Sequence, residues 1–202
     1  MNVVFDLGGV IVRWDADAFL ESVFDCPETR SSLRRGVLDH QDWIELDRGT
    51  LEPADVIDRA VARTGVPATD IQRLLAAVPP FLEPYPGVVE LVADVKRAGH
   101  RLFVLSNMHC ASVDYLERTH DFWSLFDGTV YSCRIQHVKP EQEIYEHLLA
   151  TYGLEATETV FIDDMRENID SAAGLGIRTV HYRDVDQCRR ALVDHGVLEI
   201  TA

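Results

Sequence analysis

The chain has 202 residues, 47% of them hydrophobic and 26% charged, a balance that suits a globular fold and is too apolar for a disordered one. Its 34 Asp and Glu against 19 Lys and Arg give a formal charge of −15. That argues against nucleic acid or an anionic membrane surface as partner, since both are bound through clustered positive charge.

The N-terminus, MNVVFDLGGVIV, lacks the basic segment and small-residue cleavage site of a secretory signal. Its apolar run is read as a first strand around Val3 to Phe5. No stretch approaches the roughly 18 to 20 apolar residues of a membrane span. The four cysteines, Cys26, Cys110, Cys133 and Cys188, lie far apart with no CxxC pair. They fit neither a zinc knuckle nor a dense disulfide framework, and a reducing cytoplasm is the expected setting.

From about Asp15 to Leu82 the sequence offers helical patterns and no convincing strand. ADVIDRAVART, with Pro53 at its start and Gly65 at its end, places Val56, Ile57, Ala60 and Val61 on one face. Strand and helix then alternate to the C-terminus. Short continuous apolar runs at Leu102–Leu105, Thr129–Tyr131, Val160–Ile162 and Thr179–His181 read as buried strands. Pro86 and Gly87 open a helix that stops before Gly99, and Pro140 opens one that stops before Gly153. The pattern predicts an α/β protein: a Rossmann-like parallel sheet core of residues 1–14 and 83–202, with a helical cap, residues 15–82, inserted after the first strand. In such sheets ligands bind at the carboxyl ends of the strands, where this cap would act as a lid.

Four constellations fall at those ends. Asp6 leaves the first strand and is followed by Gly8 and Gly9, which lets backbone approach an anion closely. Ser106 and Asn107 end the second strand and could hold a phosphate oxygen. Lys139 precedes the Pro140 helix, so its ammonium and the helix N-terminus could face one anion. Asp163 and Asp164 end a very apolar strand, with Asn168 a turn beyond. Adjacent carboxylates repel unless a cation sits between them, and oxygen donors of this kind suit Mg²⁺. Each has an ordinary alternative when taken alone: a Gly turn, a helix cap, a surface lysine or an acidic N-cap.

Together, in this order and spacing, Asp6, Ser106, Lys139 and the Asp163–Asp164 pair resemble the four motifs of the haloacid dehalogenase-like superfamily, over essentially the whole chain. FDLGGVIV, LSN, KPEQEIY and FIDDMRENIDSA look most like the branch that includes alpha-D-glucose-1-phosphate phosphatase. The resemblance implies a magnesium-dependent phosphatase acting on a small phosphorylated molecule, a sugar phosphate in that branch. By it, Asp6 is the nucleophile, and Ser106, Asn107 and Lys139 hold the phosphoryl group. Mg²⁺ is held by Asp6, the Gly8 carbonyl and Asp164, with Asp163 acting directly or from behind, and Asn168 organises the acids. The position two residues after the nucleophile commonly carries a second aspartate that works as general acid; here it is Gly8, as is common in that branch, which removes the obvious proton donor. Nothing in the sequence identifies a replacement among the candidates, Asp15 or a cap residue. Trp14, Trp43, Asp47 and Arg48 are candidate lining of the cap. A 2-haloacid dehalogenase, or a silent phosphate-binding regulator, is the alternative reading.

Overall fold

A computed structural model describes residues 1–199. Five strands, β1 (Asn2–Phe5), β2 (Arg101–Ser106), β3 (Gly128–Tyr131), β4 (Thr159–Asp163) and β5 (Arg178–His181), form one parallel sheet in the order β3-β2-β1-β4-β5. The order reverses at β1, whose Phe5 pairs with Val104 on one side and Ile162 on the other. This is the switch point at which open α/β sheets bind ligands.

The strands read as continuous apolar runs because both faces of the sheet are covered. Val3, Phe5, Leu102, Val104, Val160 and Ile162 point to one apolar cluster, and Val4, Phe103, Leu105 and Phe161 to the other, as the two-residue period requires. The first cluster takes in helices α6 (Pro86–Arg97) and α11 (Val185–Asp194). The second takes in α9 (Gln142–Tyr152) and α10 (Arg166–Gly174).

Between β1 and α6 lie five helices: α1 (Ala16–Val23), α2 (Pro27–Leu33), α3 (Gln41–Arg48), α4 (Pro53–Thr64) and α5 (Ala68–Phe81), with a π-helical turn at Arg34–Leu38. Pro53 and Gly65 bound α4 as its composition suggests. The buried residues of these helices, such as Phe19, Leu33, Ile71 and Leu74, are continuous with the first sheet-face cluster, so the helical segment leans on the sheet rather than enclosing a separate core. Two short helices complete the fold, α7 (Cys110–Thr119) after β2 and α8 (Ser132–Ile135) after β3. No helix among the described residues is long and apolar enough to cross a membrane.

Two details depart from the sequence reading. The Lys139–Pro140 peptide is cis, and α9 begins at Gln142 with Glu141 at its N-cap position rather than at Pro140. Cys110 and Cys133 form a disulfide, their Cα atoms 5.7 Å apart. They are 23 residues apart in sequence and meet because β2 and β3 are neighbours, so the helices that follow those strands start side by side.

Candidate active site

Asp6 leaves β1 with its amide bonded to the Ile162 carbonyl at 3.0 Å, and its side-chain Oδ1 accepts the Leu7 amide at 2.7 Å. The chain then turns sharply: the amides of Val10, Ile11 and Val12 all donate to the Leu7 carbonyl. Gly9 makes the turn at φ +74°, where a Cβ would lie 2.5 Å from Asp164 Oδ2. Glycine is required there both by conformation and by the closeness of the carboxylate.

Lys139 organises the centre. Its Nζ lies 2.8 Å from Asp6 Oδ1 and 2.7 Å from Asp163 Oδ2, and donates to the Leu105 carbonyl at 3.1 Å, three acceptors for three protons. The residue is buried, which works against its charge, yet Asp163 and Asp6 more than offset this and hold the ammonium above its ordinary range. Asp163 is fully buried and also accepts from the Met165 amide at 2.7 Å and from Asn168 Nδ2 at 3.0 and 3.1 Å. Its oxygens are thus occupied by the lysine and its own loop, which favours support from behind over direct metal ligation. Asn168 thus reaches the acidic cluster through Asp163.

Carboxylate oxygens of Asp6, Asp163 and Asp164 lie within 4.8 Å of one another. Three acids face one ammonium. Burial pushes the Asp6 carboxyl up to about 7, with Asp163 and Asp164 adding to the shift and Lys139 opposing it. Burial and then Asp163 likewise raise Asp164. A cluster of hard oxygen donors with excess negative charge fits a divalent cation such as Mg²⁺, which takes one or two carboxylates and keeps waters for the rest.

The remaining expectations divide. Asn107 is spent on Lys139: its Nδ2 donates to the Lys139 carbonyl at 2.9 Å and its Oδ1 accepts the Lys139 amide at 2.8 Å. It clamps the lysine loop and is not a free arm for substrate, a pairing between distant segments that spacing does not reveal. Ser106, the last residue of β2, is 1% exposed. Asp15 is exposed and caps α1, accepting from the amides of Asp17 and Ala18, so it is no substitute general acid.

The far wall comes from the end of α3. Asp47 Oδ1 accepts the His109 amide at 2.9 Å and lies 3.1 Å from His109 Nδ1, while His109 Nε2 is 2.9 Å from Ser112 Oγ. Arg48 forms a two-pronged ion pair with Glu141, 2.7 Å at each prong. Gly49, at φ +79°, packs so closely on Cys133 that a Cβ would lie 2.5 Å from its carbonyl oxygen. Three consecutive residues therefore dock the helical segment onto the sheet. A cleft of about 460 Å³ runs between them, lined by Asp6, Gly8, Lys139, Asp164, Trp14, Asp47 and Arg48 among others. A smaller cavity of about 80 Å³ adjoins it, sharing Gly8, Trp14, Asp47 and Asn107 and adding Trp43. Sequence reasoning missed His109 and Glu141, although both stand directly beside motifs it had placed at strand ends.

The fold and site define an α/β enzyme whose acidic centre sits at the switch point of a parallel sheet beneath a helical cover. Residues 1–176 match the sequence model of the haloacid dehalogenase-like hydrolases, and the chain belongs to that family. It is 28% identical over 183 residues to the sesquiterpene phosphatase astK of Aspergillus oryzae, covering 90% of this chain and 89% of that one. It is 26% identical over 186 residues to the D-ribitol-5-phosphate phosphatase of Bacteroides thetaiotaomicron, covering 88% and 89%. Among solved structures, a haloacid dehalogenase family enzyme of B. thetaiotaomicron, in complex with magnesium and inorganic phosphate, superposes with a TM-score of 0.70 at 23% identity, covering 90% of this chain and 93% of that one. Other relatives are longer proteins of which this chain spans less than half.

Proposed function

We propose that this hydrolase is a magnesium-dependent phosphatase that cleaves a small phosphate monoester through a phosphoryl group carried on Asp6, with residues 15–82 as a cap domain over a core of 1–14 and 83–202. The observation that supports this most is the bridge from Lys139 Nζ to both Asp6 and Asp163, with Asp164 alongside. It aims a carboxylate nucleophile and a fixed positive charge at one point.

Asp6, the Gly8 carbonyl and Asp164 would hold Mg²⁺, which when bound would offset the repulsion between anionic nucleophile and anionic ester. An Asp6 oxygen attacks phosphorus, the bond from phosphorus to the ester oxygen breaks, and the departing alkoxide takes up a proton as the alcohol. Water then attacks the phosphoryl-aspartate, releasing inorganic phosphate and restoring the carboxylate. Lys139 balances charge on the nucleophile and the transferring group, Ser106 binds a phosphoryl oxygen, and Asn107 and Asp163 keep Lys139 in place. The dehalogenase reading is weaker, since Asp164, half-buried beside Asp163 and facing the cleft, would repel a carboxylate substrate.

Two phosphatase relatives act, by their names, on a terpenoid and on a polyol phosphate, so the sugar phosphate implied by the motifs is one of two substrate classes to weigh. The cytoplasmic setting read from the cysteine spacing is part of the proposal. A thiol count on protein quenched directly from cells tests it: four free thiols fit a reducing compartment, and two fit the bonded Cys110–Cys133 pair. For the activity itself, acetyl phosphate turnover with and without Mg²⁺, in the native protein and in Asp6→Asn, is the direct assay. Loss of turnover in the folded Asn variant is expected, and substantial residual activity would refute the aspartyl route.

A further inference from the structure

The smaller cavity lies between the sheet edge and α3, with Trp14, Trp43, Val78, Leu82 and Met108 as its apolar walls. The rings of Trp14 and Trp43 are nearly parallel, 14° apart, with centroids 6.2 Å from each other. Four polar side chains also line it: Asp47, Asn107, His109 and Ser112. Each is already engaged by protein. Asn107 bonds the Lys139 backbone through both its oxygen and its nitrogen, both His109 ring nitrogens have partners, Ser112 Oγ faces His109, and one Asp47 oxygen accepts two contacts from His109. A polyol placed here would find Asn107, His109 and Ser112 already engaged and only the second Asp47 oxygen open to it, and each further hydroxyl left unpaired on burial costs about 1–3 kcal/mol. A hydrocarbon segment brings no hydroxyl of its own to satisfy, and five of the walls that receive it are aromatic or aliphatic.

The volume limits the occupant. At about 80 Å³, against about 460 Å³ for the cleft whose walls it shares, the cavity is the narrow inner end of one site, so it seats the compact apolar end of an alcohol whose phosphoryl group lies in the cleft. Its position adjoining Gly8, beside the nucleophile's loop, puts that group next to the phosphoryl centre.

We infer that this cavity is a subsite for the apolar end of the leaving alcohol, so that the preferred substrate is a phosphate monoester of a compact, branched hydrocarbon alcohol rather than of a polyol. The inference rests on the phosphatase reading, and acetyl phosphate, too small to need the subsite, tests that reading separately. The decisive comparison is kcat/KM for 3-methylbutyl phosphate against glycerol-3-phosphate. Both lose a primary alkoxide, and glycerol is the better leaving group, so intrinsic chemistry works against the expected order. A hydrophobic pocket discriminates by roughly 10- to 200-fold per well-placed group, and a preference of at least tenfold for the branched ester is expected. Trp43→Ala removes one wall and should reduce the ratio severalfold, while Val78→Ala widens the cavity and should move the optimum to bulkier alcohols. A readout independent of turnover uses Trp123→Phe, which leaves Trp14 and Trp43 as the only tryptophans: their fluorescence should change saturably with 3-methylbutanol and not with glycerol. Turnover of acetyl phosphate with equal or greater kcat/KM for glycerol-3-phosphate would overturn the subsite and leave the phosphatase reading intact. Absence of a saturable signal with 3-methylbutanol would overturn it whatever the activity.

Discussion

Replacing Lys139 by Met tests the electrostatic construction of the site. The substitution keeps length and apolar stem while removing the ammonium that lies 2.8 Å from Asp6 and 2.7 Å from Asp163. Those carboxylates are 6% and 0% exposed, so water can reach Asp6 only from the cleft and cannot reach Asp163 in place of the lost partner. Breaking a buried pair by removing one member costs about 3–5 kcal/mol. For a protein of this size each kcal/mol lowers Tm by about 2–4 °C, which gives a fall of about 6–20 °C. Thermal or urea unfolding in excess chelator reads it without interference from bound metal. The deficit should shrink as pH is lowered: burial already raises the Asp6 carboxyl in the folded state and Lys139 opposes that rise, so without the ammonium folding takes up a proton there and stability recovers on acidification. Adding Asp163→Asn should restore part of the stability at neutral pH without restoring turnover. A single variant within 1 kcal/mol of the native protein would refute the reasoning.

Three other outcomes are expected. Asp164→Ala should weaken Mg²⁺ affinity, followed by calorimetry, more than Asn168→Ala does, because Asn168 reaches the acids only through Asp163. With glycine at position 8, the native enzyme should show a steep dependence of the phosphorylation step on leaving-group acidity in rapid-quench single turnovers; a positioned acid contributes about 10² to 10⁴, and Gly8→Asp, whose Cβ would meet Trp14 at an ordinary 3.7 Å, should flatten the series. Asp42, paired with Arg63 and Arg59, has its carboxyl held below its ordinary value of 3.8, burial notwithstanding; its contribution is present above that value and lost as pH falls through the folded one, so Asp42→Asn should destabilise at pH 7 and progressively less under acid, as denaturation curves across pH will show.

The sheet was legible because buried parallel strands are unbroken apolar runs and because Asp6, Ser106 and Asp163 stop those runs abruptly. The helical segment was legible in type, from the Pro53 and Gly65 boundaries of α4, although not in its π-helical turn. What escaped depends on pairing between distant segments. Nothing near Asn107 says that its amide will close on the backbone of Lys139, nothing near Arg48 names Glu141, and the disulfide follows only once β2 and β3 are known to be adjacent. The Asp163–Asp164 pair shows the same limit: the sequence treats the acids as equals, whereas burial assigns one to Lys139 and leaves the other half-buried towards the cleft.

Asp47, Arg48 and Gly49 meet His109, Glu141 and Cys133 in turn, and this has a consequence for remodelling the enzyme. One helix end both grips the core and walls the substrate, so specificity and attachment cannot be altered separately. Transplanting a foreign lid in place of the helices between β1 and α6 would carry in new docking side chains with no matching surface below. A chimera should fold and turn over only when positions 47–49 travel together with 109, 133 and 141. Of the residues that line the inner cavity, Trp43 packs edge-on against His109 and belongs to that junction, whereas Val78 has no part in the three docking contacts and can be substituted without disturbing them.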